Sequence, residues 1–322
     1  MMNVVYKKEY NVNTGTAGAI LKVLAYFSIF KYPLTRSEIA AYLPPGTYAG
    51  MFDDALEQLV SESVIFNIGG FYLLQDDPSL VKRRREGNQR AEQLLPKAMR
   101  IGKFLSLFPY VRGIGISGSL SKKYADEKAD IDFFIITKAG RLWIARTIMH
   151  VFKKLTFLAG RQHLYCMNYY IDESALKLGD QNIYTAIETA TLLPVNGRAM
   201  YDFFTANEWV GDWFADYPFV ITGKEAKTKR PMIKKTIEWL LNNWMGEHLD
   251  DCLMKVTTRR WQKKRQEGKR NEEGKQMDLI TDKHFARSNP GLFRERLLGT
   301  YAEKLYELGK KYPGYFNFSS GV

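Results

Sequence analysis

The chain has 322 residues, 45% hydrophobic and 25% charged, with 47 Lys and Arg against 35 Asp and Glu. That balance excludes a disordered or collagen-like chain, and the length suits two or three domains around at least one substantial core. Two cysteines, Cys166 and Cys252, cannot build a disulfide framework. No apolar run approaches the roughly 20 residues that span a bilayer.

The opening MMNVVYKKEYNV has no apolar core of a secretion signal. The expected setting is therefore a reducing cytoplasm, with no membrane partner. The formal net charge of +12 invites phosphate-bearing partners, and only the placement of the cations separates that from mere solubility.

In chain order, residues 19–30 (AILKVLAYFSIF) are apolar at helical spacing and stop at Pro33. Thr35-Arg36-Ser37-Glu38 is a capping box opening a short helix to Leu43. Residues 48–61 give a third helix, with Met51, Phe52, Ala55, Leu56, Leu59 and Val60 on one face. Two short apolar runs around Gly69-Gly70 then predict a hairpin. Three helices and a hairpin over residues 14–80 resemble a winged helix-turn-helix. The third helix, however, carries Asp53, Asp54, Glu57 and Glu62 and no cation, which speaks against DNA binding.

Residues 81–108 read as a basic amphipathic helix. It starts at Lys82-Arg83-Arg84-Arg85 and is expected to kink at Pro96. Residues 111–117 (VRGIGIS) are a strand candidate ending in Gly118-Ser119. Asp130-Ile131-Asp132 follows and leads into the apolar run 133–136. Gly118 lets a phosphate approach the backbone, and Ser119 opens a short helix. Asp130 and Asp132 stand two apart and so face one side of a strand, an oxygen pair that suits Mg²⁺.

A strand, Gly118-Ser119, a spacer with a short helix, then Asp130-x-Asp132 on the next strand resembles the nucleotidyltransferase superfamily of the DNA polymerase beta type. The resemblance implies an α+β fold with a mixed sheet over residues 109–222. It also implies an NTP substrate held with one or two Mg²⁺ ions on Asp130 and Asp132. Gly118 and Ser119 would hold phosphates, with Lys122, Lys123 and Arg141 as triphosphate neighbours.

The family usually adds a third carboxylate from a later strand. Residues 164–171 (LYCMNYYI) predict that strand. Alternation places Cys166, Asn168, Tyr170 and Asp172 on one face, so the third position is Asn168, with Asp172 at the strand end as the alternative. Asparagine can ligate a metal but cannot act as a base. The expected activity is therefore nucleotidyl transfer to an acceptor hydroxyl on a small molecule, a protein or RNA. The competing expectation is a nucleotide-binding or regulatory module without turnover.

Residues 183–193 predict a helix with Glu188 near its middle, able to reach the site if its face turns inward. Tyr201-x-x-Phe204 and Asn207-x-Trp209-Val210 resemble bacterial nucleotidyltransferase-like proteins, and these aromatics read as core. Residues 223–322 are expected to form a helical region. It begins with a polar linker to Arg230, followed by a helix over 233–256 with Ile237, Leu240, Leu241, Trp244, His248 and Cys252 on one side. His248 and Cys252 read there as a core pair. A basic run over 259–270 and a last amphipathic helix over 290–308 complete the chain.

Overall fold

Residues 16–28 (α1, Thr16–Ser28) form a helix buried on nearly every side, because Ala19 to Phe27 offer almost nothing polar to solvent. The structure, a computed structural model, describes residues 15–47, 49–157, 160, 164–215, 217, 231–270, 274, 279–288 and 292–316. Tyr48, the 223–230 linker, residues 271–273 and 275–278, and Pro290 lie outside them.

The capping box forms as expected. Glu38 donates its backbone N–H to the Thr35 hydroxyl at 3.3 Å, and its carboxylate takes the Thr35 N–H at 2.9 Å. It opens α2 (Arg36–Ala41). The third helix, α3 (Phe52–Ser61), buries Phe52, Ala55, Leu56 and Leu59 but leaves Met51 exposed. Strands β1 (Leu34–Thr35), β2 (Phe66–Ile68) and β3 (Phe71–Leu73) make an antiparallel sheet in the order β1-β3-β2.

The basic segment is one 28-residue helix, α4 (Pro78–Leu105), with Pro96 inside it. Three of its cations, Arg83 to Arg85, are engaged within the chain. Arg83 donates to the Phe30 and Lys31 carbonyls and Arg85 to the Gly69 carbonyl. Arg84, 2% exposed, donates to the Pro33 carbonyl and both Glu38 oxygens. The run clamps α4 to the N-terminal unit.

The second sheet has the order β7-β4-β5-β6-β9-β8. Its strands are β4 (Val111–Ser117), β5 (Asp132–Thr137), β6 (Cys166–Asp172), β7 (Leu193–Asn196), β8 (Leu279–Thr281) and β9 (Phe285–Ser288). Only β5 and β6 run parallel, joined over α6 (Leu142–Phe157), so the sheet is mixed. The chain is thus of mixed α and β class.

One face packs on α4, α6 and α10 (Trp244–Gln266). The other packs on α8 (Ala199–Ala206), where Gly113 and Gly115 leave room for Met200 against β4. In the chain between β6 and β7, α7 (Ile183–Ala190) buries Ile183, Ala186 and Ile187 against the N-terminal unit. The expected core aromatics are core: Phe203 and Phe204 are buried against the main sheet, Trp213 is buried in the N-terminal cluster, and Trp209 packs partly buried against that cluster.

Two expectations for residues 223–322 are corrected. First, the region is not purely helical, since β8 and β9 extend the main sheet from the edge of β6. The last helix, α11 (Phe293–Lys311), returns to α1, with the Tyr301 hydroxyl donating to the Lys22 carbonyl at 3.3 Å. Second, the helix predicted over 233–256 breaks into α9 (Met232–Leu240) and α10. Asn243 caps α10 by accepting the Gly246 N–H. Of the expected stripe only Ile237 and Leu241 pack inward, while Leu240, Trp244, His248 and Cys252 are exposed rather than core. Among the described residues no helix is long and apolar enough to cross a membrane.

Candidate functional site

Strands β4 and β5 place the two motifs together, because antiparallel pairing sets Ser117 opposite Asp132. The next residue, Gly118, turns the chain into α5 (Gly118–Ser121) with φ +71°. A Cβ on Gly118 would lie 2.5 Å from Asp132 Oδ2. Glycine is therefore required twice, for the left-handed backbone and for the close approach of a carboxylate. Ser119 is exposed at the head of α5. Asp130 is exposed just before β5, near enough to act electrostatically on Asp132.

The Asp132 carboxyl is raised to about 7. Burial is the main cause, followed by the Asp130 charge, and Glu188 adds to it while Lys122 opposes. Ionising this pair without a cation is costly.

Asn168 meets Asp132 directly, its Nδ2 donating to Oδ1 at 2.6 Å. The reason is a β-bulge. Phe133 pairs with Met167 but Phe134 pairs with Tyr169, so Asn168 is the extra residue. Beyond the bulge the alternation reverses. Tyr170 joins the core with Phe133, while Tyr169 and Ile171 join Phe134 on the site's face. The Cys166 thiol donates to Asn168 Oδ1 at 3.2 Å. Burial and Asp132 push it up to about 12, so it is no nucleophile at neutral pH.

Asp172 does not reach the site. It pairs in register with Thr137, at the far end of β5, roughly 17 Å along the strand from Asp132. Fully buried, it accepts from the Gly140 N–H (3.0 Å), from the Ser174 N–H (3.0 Å) and from His284 Nδ1 (2.9 Å). It ties a loop and β9 to the sheet. Arg141 lies at that same end and donates to the Leu241 and Asn243 carbonyls. Lys123 is exposed after α5 and does not line the cavity described next. Lys122 does stay near the site, its ammonium on Glu188 at 2.8 Å and on the Gly118 carbonyl at 3.1 Å.

A cavity of about 280 Å³ opens onto Gly118, Asp132, Asn168 and Glu188, walled by Phe134, Tyr169, Tyr184 and Phe203. Arg287 from β9 and Arg294 from α11 also line it, both donating to Asp180. Burial raises the Asp180 carboxyl, but the two guanidiniums outweigh it and hold it below the ordinary carboxylate range.

Glu188 reaches the cavity because the face of α7 that carries it turns inward, whereas Arg287 and Arg294 have no local signal in the sequence. Nothing local in RSNPGLFR marks a residue that folds back onto a strand more than a hundred positions earlier.

Among the described residues no three His, Cys, Asp or Glu side chains come together as a metal-holding group. No family model, curated protein or solved structure matches this chain.

Proposed function

We propose that this chain binds a nucleoside triphosphate with Mg²⁺ at Gly118, Ser119, Asp130 and Asp132. It then transfers the nucleotidyl group to a hydroxyl of a small acceptor in the adjoining cavity. One observation carries this reading: Gly118, bare and left-handed, packs against Asp132. A turn without a side chain thus lies against a carboxyl that burial and the Asp130 charge hold above its usual range, the kind of group a divalent cation relieves.

The donor set suits one hard cation, held by Asp130 and Asp132 and completed by phosphate oxygens, as is usual for Mg²⁺. A second ion lacks its carboxylate, because Asn168 stands there with its amide turned to Asp132. Bound at that pair, Mg²⁺ would offset phosphate charge. In the transfer the acceptor oxygen bonds to the α-phosphorus and pyrophosphate leaves. The hydroxyl proton goes to a base, for which Glu188 on the cavity wall is the carboxylate to hand. The cavity's small volume favours a small acceptor over a protein or RNA end. Its two arginines favour one bearing an anionic group.

The strand order around β4–β5–β6 supports the nucleotidyltransferase-fold reading. For the N-terminal unit, a helix, strand, helix, helix and hairpin with sheet order β1-β3-β2 support a winged helix. Its acidic α3, one of whose carboxylates (Asp53) already holds Arg36 at 2.6 Å, suits a packing or regulatory role.

A second reading, nucleotide binding without turnover, is favoured by the Asn168–Asp132 bond, which spends a carboxylate lone pair that a catalytic ion would use. Calorimetry with ATP and GTP in Mg²⁺ tests the shared premise. Equal affinity in wild type and Asp130→Ala/Asp132→Ala would sink both readings. Incubation with α-phosphate-labelled NTPs and small-molecule extract then divides them: label transfer that Asp132→Ala abolishes marks the enzyme, and binding without transfer marks the module.

A further inference from the structure

An amphipathic helix ordinarily buries its apolar side, but α9 turns only Ile237 and the following Leu241 to the core and leaves most of its apolar residues outside. Lys234 is buried, its ammonium on the Ser106 and Val111 carbonyls at 2.9 Å each. Glu238 holds the Arg112 guanidinium at 2.9 and 3.0 Å and the Tyr110 N–H at 2.7 Å. Met232, Ile233, Trp239 and Leu240 are left in solvent, the indole 78% exposed.

The next helix continues the pattern. Trp244 is 73% exposed, and Met245, Leu249, Cys252 and Val256 are all exposed. Met245, Leu249, Cys252 and Val256, spaced 4, 3 and 4 residues apart, draw one stripe along α10, with Trp244 about 100° to one side of it. Gly246 and Asp250 take the inward side, Asp250 accepting the Ile144 N–H at 2.8 Å. Two exposed tryptophans beside such a stripe make an apolar face that calls for a cover.

The charges beside the stripe say what kind. At about 100° per residue, Lys255, Arg259 and Arg260 fall within a quarter-turn of it. Glu247 and Asp251 fall more than a third of a turn away, and Asp251 is held by Lys283 at 2.5 Å. The stripe is therefore bordered by cations, which would repel a second copy of the same stripe. The apolar area also spreads over two helices and a corner rather than along a single seam, which fits a plane better than one partner helix. Indoles at an apolar–aqueous boundary with lysine and arginine at its edge are the chemistry of a helix lying in a lipid interface.

We propose that the α9–α10 corner rests on an anionic phospholipid surface, lying on it rather than crossing it. Trp239, Trp244 and Met245 enter the acyl boundary, and Lys255, Arg259 and Arg260 meet headgroup phosphates.

The test is sedimentation of the full chain with phosphatidylcholine vesicles, with and without phosphatidylglycerol. Binding that requires phosphatidylglycerol and weakens with salt is expected. Trp239→Ser/Trp244→Ser should weaken it about tenfold or more, and Arg259→Glu/Arg260→Glu should abolish the phosphatidylglycerol requirement together with most binding. All four side chains are exposed, so circular dichroism should be unchanged. Met245→Glu is a second, independent variant with the same expected loss. No binding to anionic vesicles, or binding that these variants leave intact, overturns the proposal. A sedimenting dimer that Met245→Glu disperses, without lipid binding, also overturns it and assigns the face to a second copy.

Discussion

Asn168 donates its side-chain N–H to Asp132 across 2.6 Å, from a bulge in the neighbouring parallel strand. Because the bulge doubles a position, Asn168 and Tyr169 both face the cavity, and Asp132 faces an amide where the resemblance implies a carboxylate. The amide donates to a carboxylate where a third acid would add like charge to the pair.

Asn168→Asp should therefore convert the site. We expect divalent-ion affinity to rise about tenfold or more, with lower stability of the metal-free protein because three carboxylates would crowd one another. Mn²⁺ or Mg²⁺ titration by calorimetry, paired with thermal melts, reads both effects. Unchanged affinity would show that position 168 lies outside the ion's reach.

The pH dependence follows from Asp132. Its folded value of about 7 lies above the usual 3.8. Between these values the folded chain holds a proton that the unfolded chain has lost, so this group's contribution to stability falls as pH rises from about 4 to about 7 and is fully lost above. Asp132→Asn should accordingly be more stable than wild type at pH 8, by about 4 kcal/mol, with the gap closing near pH 4. An ion replaces that proton, so Mg²⁺ affinity of the wild type should climb towards pH 7 and then level. Denaturant melts and titrations at three pH values decide it, and a gap independent of pH would refute the assignment.

Gly118→Ala places a methyl 2.5 Å from Asp132 Oδ2 on a backbone with φ +71°. A loss of about 1–3 kcal/mol is expected, together with loss of nucleotide binding. Gly140, also at positive φ but with open space around it, is the control. Its alanine variant should lose stability alone and keep nucleotide affinity.

Arg84 joins α4 to the N-terminal unit while nearly sealed from water, and its guanidinium lies 3.8 Å from the centroid of the Tyr32 ring. Arg84→Met would leave Glu38 and the Pro33 carbonyl without their cation, at a cost of about 3 kcal/mol. Arg84→Lys should recover only part, because an ammonium cannot reach both partners or stack on the ring. Neighbouring Lys82 is exposed, and its alanine variant should be neutral. Urea melts of the three variants rank them, and equal loss at Lys82 would refute the clamp.

The turn glycines, the capping box, the Gly118-Ser119 turn and the apolar strand after Asp132 are properties of short windows. Their backbone preferences and period-two patterning are written residue by residue, so the sequence alone located the motif, the hairpin and most helices. Three features depended instead on which distant segments meet. The bulge that turns Asn168 to the site is a matter of register between two strands. The delivery of Glu188, Arg287 and Arg294 to one cavity, and the removal of Asp172 and Arg141 to the other end of the sheet, follow from crossovers. Periodicity shows which residues of α9 share a side, but not which side the body of the protein takes. There Ser106, Val111, Tyr110 and Arg112 offer partners that bury Lys234, hold Glu238 half-buried and leave Trp239 outside.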